Sequence, residues 1–407
     1  MFILSHPTGN QNVRHTALAL QEAGRLAELW TCLAFDPHSL ASRLLPSAVR
    51  SEAARRAFPD ALRPLIHTHA WRELARLGSR RLGWSGPSAH ETGWCSVDAV
   101  YRALDRRVAR RLARQPTVSA VYAYEDGAAA TFASAKRLGR RRVYDLPIGY
   151  WRAFDEICRV EQDAEPAWAA TLVGTRDSDQ KRARKDEELA DAELIVVASR
   201  FTAATLAHYP GPLAPIRVVP YGAPTPDERP RAWSAGGTPL RVLYVGSLSQ
   251  RKGLSYLFKA VAALGAGVRL TVVGSRVAAC PALDQALANH RHVSSLPHAE
   301  ILALMRDHDV LVFPSLFEGF GLVITEAMSQ GLVVITTPHT AGPDLISDGQ
   351  DGFIVPIRDA DAISERLERL RADRQLLAHM GTMALASARR RGWDSFRSDL
   401  RQALAIP

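Results

Sequence analysis

The sequence has the length and composition of a two-domain protein without a membrane span. Its 407 residues suffice for two separate cores, and 47% of them are hydrophobic while 23% are charged. No run approaches the ~18–20 apolar residues that cross a bilayer, and the apolar start from Met1 to Ser5 is too short for a signal peptide. The four cysteines are widely separated. This excludes a disulfide framework and a zinc cluster, and it indicates a reducing, cytoplasmic compartment.

Arginine carries most of the positive charge. The net charge is +9, and many arginines fall between Arg43 and Arg114. A basic surface can bind nucleic acid, anionic lipid or a phosphorylated substrate. Nucleic acid is disfavoured because the sequence contains no RNP-like aromatic pattern, zinc finger or basic heptad arm. Two interpretations stay open: a solvated helical surface, and peripheral contact of the basic N-terminal half with the cytoplasmic face of a membrane.

The first half alternates short apolar strands with helices. The pattern predicts strands at 2–4, 29–35, 118–124, 142–146, 193–198 and 216–219. Helices are predicted up to residue 26, mostly over 36–78 with breaks at Pro46, Pro59 and Pro64, and at 97–115, 128–138, 152–191 and 199–208. The turn-rich stretch 80–96, which contains Trp84 and Trp94, is expected to be mobile or to face a substrate. This alternation predicts a doubly wound parallel sheet.

Polar residues and a glycine mark the carboxyl ends of these strands. Gly9 follows the first strand, Glu125 and Asp126 follow the strand that ends at residue 124, and Asp145 lies at the end of the next one. In open parallel sheets, ligands bind beyond the strand carboxyl ends, so we expect these four residues to surround one crevice. Helix N-capping is the alternative role for the carboxylates.

A proline-rich stretch divides the chain. Residues 220–239 hold five prolines and three glycines, and the alternation restarts after them. Strands are predicted at 240–245, 269–273, 292–293, 310–313, 333–336 and 352–355, and helices at 254–264, 281–289, 299–308, 322–329, 359–371, 374–388 and 393–405. We therefore expect an α/β fold with domains at 1–222 and 223–390. A C-terminal helix at about 391–407 is expected to pack back on the first domain.

Two loops of the second half are typical of a phosphate and sugar site. VGSLSQRKGL at 245–254 offers Arg251 and Lys252 at a helix start, and DVLVFPSLFEGFGLVITEAMSQG at 309–331 places glycines between a strand and a helix. Free N–H groups and the helix dipole favour an anion there. Glu318 and Glu326, with seven residues between them, would instead accept hydrogen bonds from hydroxyls. An ordinary strand-to-helix turn with solvated charges stays open as the alternative.

These loops, together with DGQDGFIVP at 348–356, resemble the family-4 (group 1) retaining glycosyltransferases. The resemblance implies the GT-B fold, in which two Rossmann-like doubly wound parallel-sheet domains face a cleft, with the acceptor on the first domain and a nucleotide-sugar donor on the second. It implies that Lys252 and Arg251 neutralise the donor diphosphate and that Glu318 binds the transferred sugar. The remaining implied donor contacts are Glu326 at the ribose, Leu296 near the base, and the loop residues Gly246, Ser247, Gly319, Phe320, Gly321 and Leu322.

The same resemblance implies transfer with retention and without a bound metal or other cofactor, since the nucleotide-sugar is itself a substrate. The loops that carry the resemblance contain no Asp-x-Asp or histidine cluster that would offer hard ligands, in agreement with this expectation. Many relatives carry Arg where this chain has Ser247, so Arg251 is a candidate replacement. Asp344 stands after a later strand, at the position where the family usually has an acidic residue.

The acceptor side matches the family pattern less closely. The N-terminal loop is reduced to Gly9 and Asn10, with Arg14 and His15 nearby. The histidine that relatives often place after the fourth strand is absent, so Glu125 and Asp126 are the candidates for the catalytic acid or base. Asp145 is a further acceptor-side candidate.

Other functions of the same fold remain as alternatives. A nucleotide-sugar 2-epimerase would need a different set of carboxylates, and a non-catalytic nucleotide-sugar-binding GT-B protein would be expected to lose a signature residue. A dinucleotide oxidoreductase is disfavoured because no G-x-G-x-x-G follows the first strand.

Overall fold

The computed structural model describes residues 1–37, 50, 53–54 and 56–406. The predicted break at Pro46, the arginines Arg43 and Arg55, and much of the region predicted as mostly helical at 36–78 lie outside the described residues. In the part that is described, the chain forms two parallel sheets with helices on both faces, which confirms the predicted α/β class.

The first sheet has seven described strands in the order β3-β2-β1-β4-β5-β6-β7. The chain begins in the middle of the sheet and adds strands outward in both directions, which is the doubly wound arrangement. The strands are β1 (Phe2–Ser5), β2 (Leu26–Thr31), β3 (Ile66–Thr68), β4 (Ala120–Tyr124), β5 (Arg141–Leu146), β6 (Leu194–Val197) and β7 (Ile216–Val218). The helices described in this half are α1 (Gln11–Glu22), α2 (Trp71–Arg81), α3 (Val97–Leu112), α4 (Ala129–Arg137), α5 (Trp151–Ala164), α6 (Asp179–Asp191) and α7 (Arg200–Thr205).

Several predictions for the first half were wrong, among them the second strand, which was predicted at 29–35 and is observed at Leu26–Thr31. The first helix ends at Glu22 rather than near residue 26, because Gly24 adopts a left-handed φ of +63° and Leu26 already pairs with Phe2 in the sheet. Strand β3 was missed inside the region predicted as helical. It has only three residues and lies at the sheet edge, so it gives no periodic signal.

The second sheet has six described strands in the order β10-β9-β8-β11-β12-β13. They are β8 (Leu240–Val245), β9 (Val268–Val273), β10 (Arg291–Val293), β11 (Val310–Phe313), β12 (Val333–Thr336) and β13 (Gly352–Ile354). The helices are α8 (Leu254–Leu264), α9 (Pro281–Leu287), α10 (His298–Arg306), α11 (Leu322–Ser329), α12 (Gly342–Leu345), α13 (Ala360–Ala372), α14 (Arg374–Arg390) and α15 (Trp393–Ala403). The short helix α12 was not predicted. Within the described residues, every helix is too short or too polar to pass through a membrane.

The last helix returns to the first half of the chain. Arg397 and Arg401 of α15 form ion pairs with Glu22 of α1 at 2.9 and 2.8 Å, and the Trp393 ring stacks on His15 with ring centres 4.1 Å apart. The last strand of the first sheet ends at Val218 and the first strand of the second begins at Leu240. The domain limits at 222 and 390 stay a prediction.

Helix α5 forms a second connection between the halves. Its fully buried Glu161 carboxylate accepts hydrogen bonds from Gln250 Nε2 at 2.7 Å, Tyr256 Oη at 3.1 Å and Arg358 Nε at 2.7 Å. All three donors belong to the second half. One of them, Gln250, immediately precedes Arg251 and Lys252, so this junction holds the phosphate-site loop against the first sheet.

Candidate active site

The two predicted loops of the second half meet at one sheet edge. Strands β8 and β11 are parallel neighbours, so the loops after their carboxyl ends lie side by side. The Leu316 amide donates to the Arg251 carbonyl at 2.8 Å, which joins the loops directly.

Glycine is required where these loops touch their neighbours. Gly253 has a φ of +70°, and a Cβ atom there would lie 2.1 Å from the Pro314 carbonyl oxygen. A Cβ atom on Gly319 would lie 1.8 Å from the Pro147 carbonyl oxygen, which belongs to the first half. Larger residues at these positions would push the loops apart.

Arg251 and Lys252 both contact Glu318. Arg251 Nη1 donates to the Phe317 carbonyl at 2.7 Å and to Glu318 Oε1 at 3.3 Å. The Lys252 ammonium contacts Glu318 Oε2 and lies 4.8 Å from the centre of the Phe313 ring. Burial and the nearby Arg251 cation lower the pKa of Lys252, whereas the Glu318 carboxylate favours its charged form. An anionic ligand at the two cations would therefore compete with Glu318.

A cavity of about 370 Å³ lies between the halves beside this cluster. The first half contributes Asn10, Asn12, Pro147 and Tyr221, and the second contributes Val245, Gly246, Lys252, Phe313, Glu318, Phe320, Gly321, Leu322 and Val323. The structure thus brings together most of the residues that the resemblance assigned to the donor. We call this cavity the cleft.

The start of helix α11 forms one wall of the cleft. Gly321 is its N-cap with a φ of +86°, and Leu322 and Val323 are in its first turn. Amide groups in a first turn have no acceptor within the helix, so they can bind an anion.

Three other predicted donor contacts are placed differently. Glu326 lies one turn further along α11 and pairs with His298 Nε2 at 2.9 Å, which raises the pKa of His298. Leu296 packs against the second-half core, and the Ser247 carbonyl accepts a hydrogen bond from Tyr244 Oη at 2.9 Å. None of Leu296, Ser247 and Glu326 lines the cleft as the structure describes it.

Of the acceptor-side candidates in and after the N-terminal loop, one lines the cleft and the others do not. Asn10 lines the cleft and caps α1 by accepting from the Val13 amide at 3.2 Å. Arg14 Nε donates to the Gly9 carbonyl at 2.9 Å, which fixes the loop. His15 lies away from the cleft because it stacks on Trp393, and burial lowers its pKa to about 4.

None of the four residues expected around one crevice, Gly9, Glu125, Asp126 and Asp145, lines the cleft, and that crevice stays a prediction. Asp145 is only 3% exposed and accepts from Tyr122 Oη at 2.6 Å, and burial raises its pKa to about 7. Asp145 is therefore buried among tyrosines rather than exposed at the surface.

Glu125 and Asp126 belong to an ion-pair cluster with helix α6. Lys185 Nζ lies 3.6 Å from Glu125 Oε1, and Arg184 Nη2 lies 3.2 Å from Asp126 Oδ1. Burial raises the pKa of Glu125 to about 7, although Lys185 opposes the shift. Lys185 also lines a second cavity of about 320 Å³, whose other walls include Trp151, Phe154, Arg251 and Phe317. Glu125 is therefore linked through Lys185 to a space that reaches Arg251.

One group of potential metal ligands occurs among the described residues. A ligand atom from each of His90, Glu91 and Asp177 lies within 4.8 Å of the others. Lys181 Nζ is 3.0 Å from Asp177 Oδ1, and the Glu91 carboxylate accepts from the Ser178 amide at 2.8 Å, so both acids already have partners. The expectation of a metal-independent site stays a prediction.

Tyr221 is a cleft residue that the sequence analysis missed. Its hydroxyl accepts from Asn12 Nδ2 at 3.0 Å, and its ring centre lies 5.0 Å from that of Phe320 across the interface. Tyr221 lies in the proline-rich stretch 220–239, which was interpreted as a linker. An aromatic residue three positions after strand β7 was the available signal.

The fold and the site together define a GT-B protein, in which two Rossmann-like domains face a cleft. Sucrose-phosphate synthase from Thermosynechococcus elongatus superposes with a TM-score of 0.67 at 17% identity, covering 99% of this chain and 98% of that one. HepE of Anabaena, solved in complex with UDP, superposes with a TM-score of 0.62 at 15% identity and covers 99% of both chains. At these identities the likeness concerns the fold.

Residues 227–386 match the family model described as glycosyl transferases group 1. The capsular polysaccharide biosynthesis glycosyltransferase CapM of Staphylococcus aureus is 34% identical over 146 residues, which are 34% of this chain and 38% of that protein. The chain spans between 37% and 62% of the length of the leading curated relatives. The predicted family resemblance is confirmed at the level of group 1.

Proposed function

We propose that this chain is a retaining glycosyltransferase that moves a sugar from a nucleoside diphosphate sugar to an acceptor hydroxyl. The observation that carries the proposal is Glu318 held between Arg251 and Lys252 at the wall of the cleft. Cations suit the diphosphate, and a carboxylate suits sugar hydroxyls. Few ligands other than a nucleotide-sugar need both within one site.

Each side chain has a role in the proposed transfer. The bond between the anomeric carbon and the diphosphate oxygen breaks, a bond to the acceptor oxygen forms, and the proton of the acceptor hydroxyl passes to the proposed base, Glu125 or Asp126. Charge develops on the departing diphosphate, where Arg251, Lys252 and the first turn of α11 stabilise it. Glu318 orients the transferred sugar, and Glu326, positioned by His298, accepts hydrogen bonds from the ribose.

The relatives support the class of reaction. CapM is named for capsular polysaccharide biosynthesis, and HepE was solved with UDP. From these two relatives we infer that the donor is a nucleotide-sugar. We also infer that the product is a polysaccharide or glycoconjugate made in the cytoplasm. The reaction is proposed to use neither a metal nor a separate cofactor.

The acceptor is proposed to enter from the side of the first half. Asn10 and Asn12 line the cleft there, and Arg14 fixes the loop that carries them. Glu125 and Asp126 remain the proposed acid or base groups, since Glu125 pairs with Lys185 at the second cavity. Contact of the basic first half with the cytoplasmic membrane face is part of the same proposal.

Glu318→Ala tests the site assignment. Transfer from a nucleotide-sugar is expected to fall by at least ~10²-fold, because an interaction with the reacting sugar is lost while the fold remains. Glu365→Ala is the matched control, since its carboxylate is 70% exposed on α13. Turnover would be measured with radiolabelled donors, and the anomeric configuration of the product by NMR. Unchanged turnover in Glu318→Ala would contradict the site, and an inverted product would contradict retention.

A further inference from the structure

The exposed large hydrophobic side chains are concentrated in one stretch of the first half. Six of the ten such residues among those the structure describes lie between residues 71 and 97, and each is between 50% and 62% exposed. They are Trp71, Leu74, Leu82, Trp84, Trp94 and Val97. Scattered exposed hydrophobics need no explanation, but a contiguous group containing three tryptophans marks an interaction surface.

Helix α2 orients the group outward. Trp71, Leu74 and Leu82 are separated by three and eight positions, which places them along one face of the helix and its C-cap. The acidic residue of this helix points the other way. Glu73 is 6% exposed, and its carboxylate accepts two hydrogen bonds from Arg76 at 2.7 Å. The apolar face is thus the solvent face, the reverse of an ordinary surface helix.

The tryptophans are held in place by local structure. After α2 ends, Gly83 adopts a φ of +70°, its amide donates to the Arg80 carbonyl at 3.3 Å, and the Trp84 amide donates to the Ser79 carbonyl at 2.8 Å. This pair of bonds is the Schellman motif, which fixes the chain beyond a helix. The Trp94 ring stacks on Trp71 with centres 5.9 Å apart. Side chains fixed while exposed lose little freedom on binding.

Positive charge surrounds this face. Residues 71–115 contain ten arginines and four acidic residues. The acidic groups are already engaged: Asp98 pairs with Lys181 at 3.0 Å, Asp105 accepts from the Ala130 amide at 2.7 Å, and Glu91 accepts from Ser178. Arg106, Arg107 and Arg110 of the adjacent α3 are exposed, and burial lowers the pKa of His69 with a further contribution from Arg107, Arg110 and Arg72. The unneutralised field at the surface is therefore positive.

We propose that the face formed by α2 and residues 82–97 is a docking surface for an anionic lipid bilayer. Tryptophans that are fixed at a surface suit the headgroup region, and the surrounding arginines suit anionic headgroups. The inference deepens the membrane contact in the proposed function by naming its residues, and it rests on that function only for the further step that a membrane-bound acceptor is delivered to the cleft. Bilayer binding itself can be measured without transfer.

Vesicle co-sedimentation of the full chain tests the surface. Wild type is expected to bind phosphatidylglycerol-containing vesicles, to bind pure phosphatidylcholine vesicles at least about tenfold less, and to be released by salt. Tryptophan fluorescence should shift to the blue on binding. The variants Leu82→Glu and Trp84→Glu, both at exposed positions, are expected to lower the partition coefficient about tenfold or more. Leu138→Glu is the matched control, since Leu138 is an exposed leucine after α4 outside this face.

The outcomes separate this inference from the proposed function. Absence of vesicle binding, equal binding to neutral vesicles, or equal loss in Leu138→Glu would overturn it. Concentration-dependent dimerisation that Trp84→Glu abolishes, without vesicle binding, would show that the face joins two copies instead. Donor-induced thermal stabilisation should be the same in wild type and Trp84→Glu. If vesicles bind but no nucleotide-sugar stabilises the protein, the proposed function fails and the docking surface stands.

Discussion

Glu318 is the residue on which the proposed chemistry depends. It contacts Arg251 and Lys252 directly, so donor binding would exchange one anion for another at the same two cations. The exchange keeps each buried cation beside a negative charge, which avoids the cost of an unpaired buried charge. Glu318 is then released toward the sugar hydroxyls. In the proposed reaction, the Glu318 carboxylate thus neutralises the two cations before the donor binds and contacts the sugar afterwards.

Asp145 allows a test of the buried polar groups of the first half. Burial raises its pKa to about 7, above an ordinary unfolded value of about 4. The folded state therefore holds this proton more tightly, and its contribution to the free energy of unfolding is full below about pH 4 and is lost as the pH rises through about 7.

We predict that Asp145→Asn removes this part of the pH dependence. The amide stays neutral and can still accept from Tyr122. The free energy of unfolding of the variant should therefore rise relative to that of wild type by about 1.4 kcal/mol for each pH unit between about pH 4 and about pH 7. Urea unfolding at about pH 4 and about pH 8 measures the difference. A variant that loses stability at both values would show that Asp145 is charged in the fold. Transfer should continue in this variant, because Asp145 does not line the cleft.

At the scale of elements, the loops after β8 and β11 depend on their close approach. We predict that Gly253→Ala weakens donor binding, since its Cβ atom would lie 2.1 Å from the Pro314 carbonyl oxygen. Gly349→Ala is the matched control, with a φ of +76° and nothing within 4 Å. Both variants should lose roughly 1–2 kcal/mol of stability from left-handed strain, and the clash adds to this only at Gly253. Equal donor dissociation constants in calorimetry would show that the loop contact does not shape the site.

Helix α5 supports the same loop from the other half. We predict that Glu161→Ala lowers the free energy of unfolding by about 1–3 kcal/mol, because it leaves the buried Gln250 amide and the half-buried Arg358 guanidinium without this acceptor. Glu156→Ala on the same helix is the control, since that carboxylate is 56% exposed and pairs only with His208 among the described residues. Denaturant unfolding measures both. Similar losses in the two variants would mean that the Glu161 contacts do not hold the halves together.

The elements around the donor site were the most predictable part of the chain. Strands β8, β11 and β12 and helices α8 and α11 have the predicted bounds, because these runs end near a glycine, at a Pro-Ser pair or, for β12, just before Thr337-Pro338. Strand β3 escaped prediction because three edge residues carry no period. Patterns that are long and sharply bounded are readable from one sequence.

Some residues of the candidate site were predictable from the sequence and others were not. Lys252, Glu318 and Gly321 share one half of the chain and adjacent strand ends, so topology alone brought them together. His15 lies within α1 and stacks on Trp393, and Asp145 lies near the end of β5 and accepts from Tyr122, so both have packing partners that the sequence did not reveal. Tyr221 and the His298 partner of Glu326 were invisible because tertiary contacts that are distant in sequence define them.

At the scale of the whole molecule, the cleft lies between two halves that several contacts hold together. Helix α15 lies on α1, and Glu161 of α5 binds three groups of the second half, while Gly319 contacts Pro147 at the cleft wall. The donor groups of the second half thereby face Asn10, Asn12 and Tyr221 of the first. The proposed lipid-docking face belongs to the first half, which is also the half that is proposed to receive the acceptor.

Donor binding is the central claim, and a thermal-shift panel of nucleotide-sugars measures it most directly. A true donor at about 100 times its dissociation constant should stabilise the protein by about 2.7 kcal/mol. Lys252→Met should lose most of that stabilisation, whereas Lys259→Met, at an exposed lysine on the neighbouring helix α8, should keep it. Stabilisation of wild type and Lys259→Met but not of Lys252→Met is the predicted result. Equal stabilisation of all three proteins, or no stabilisation by any nucleotide-sugar, would contradict the account.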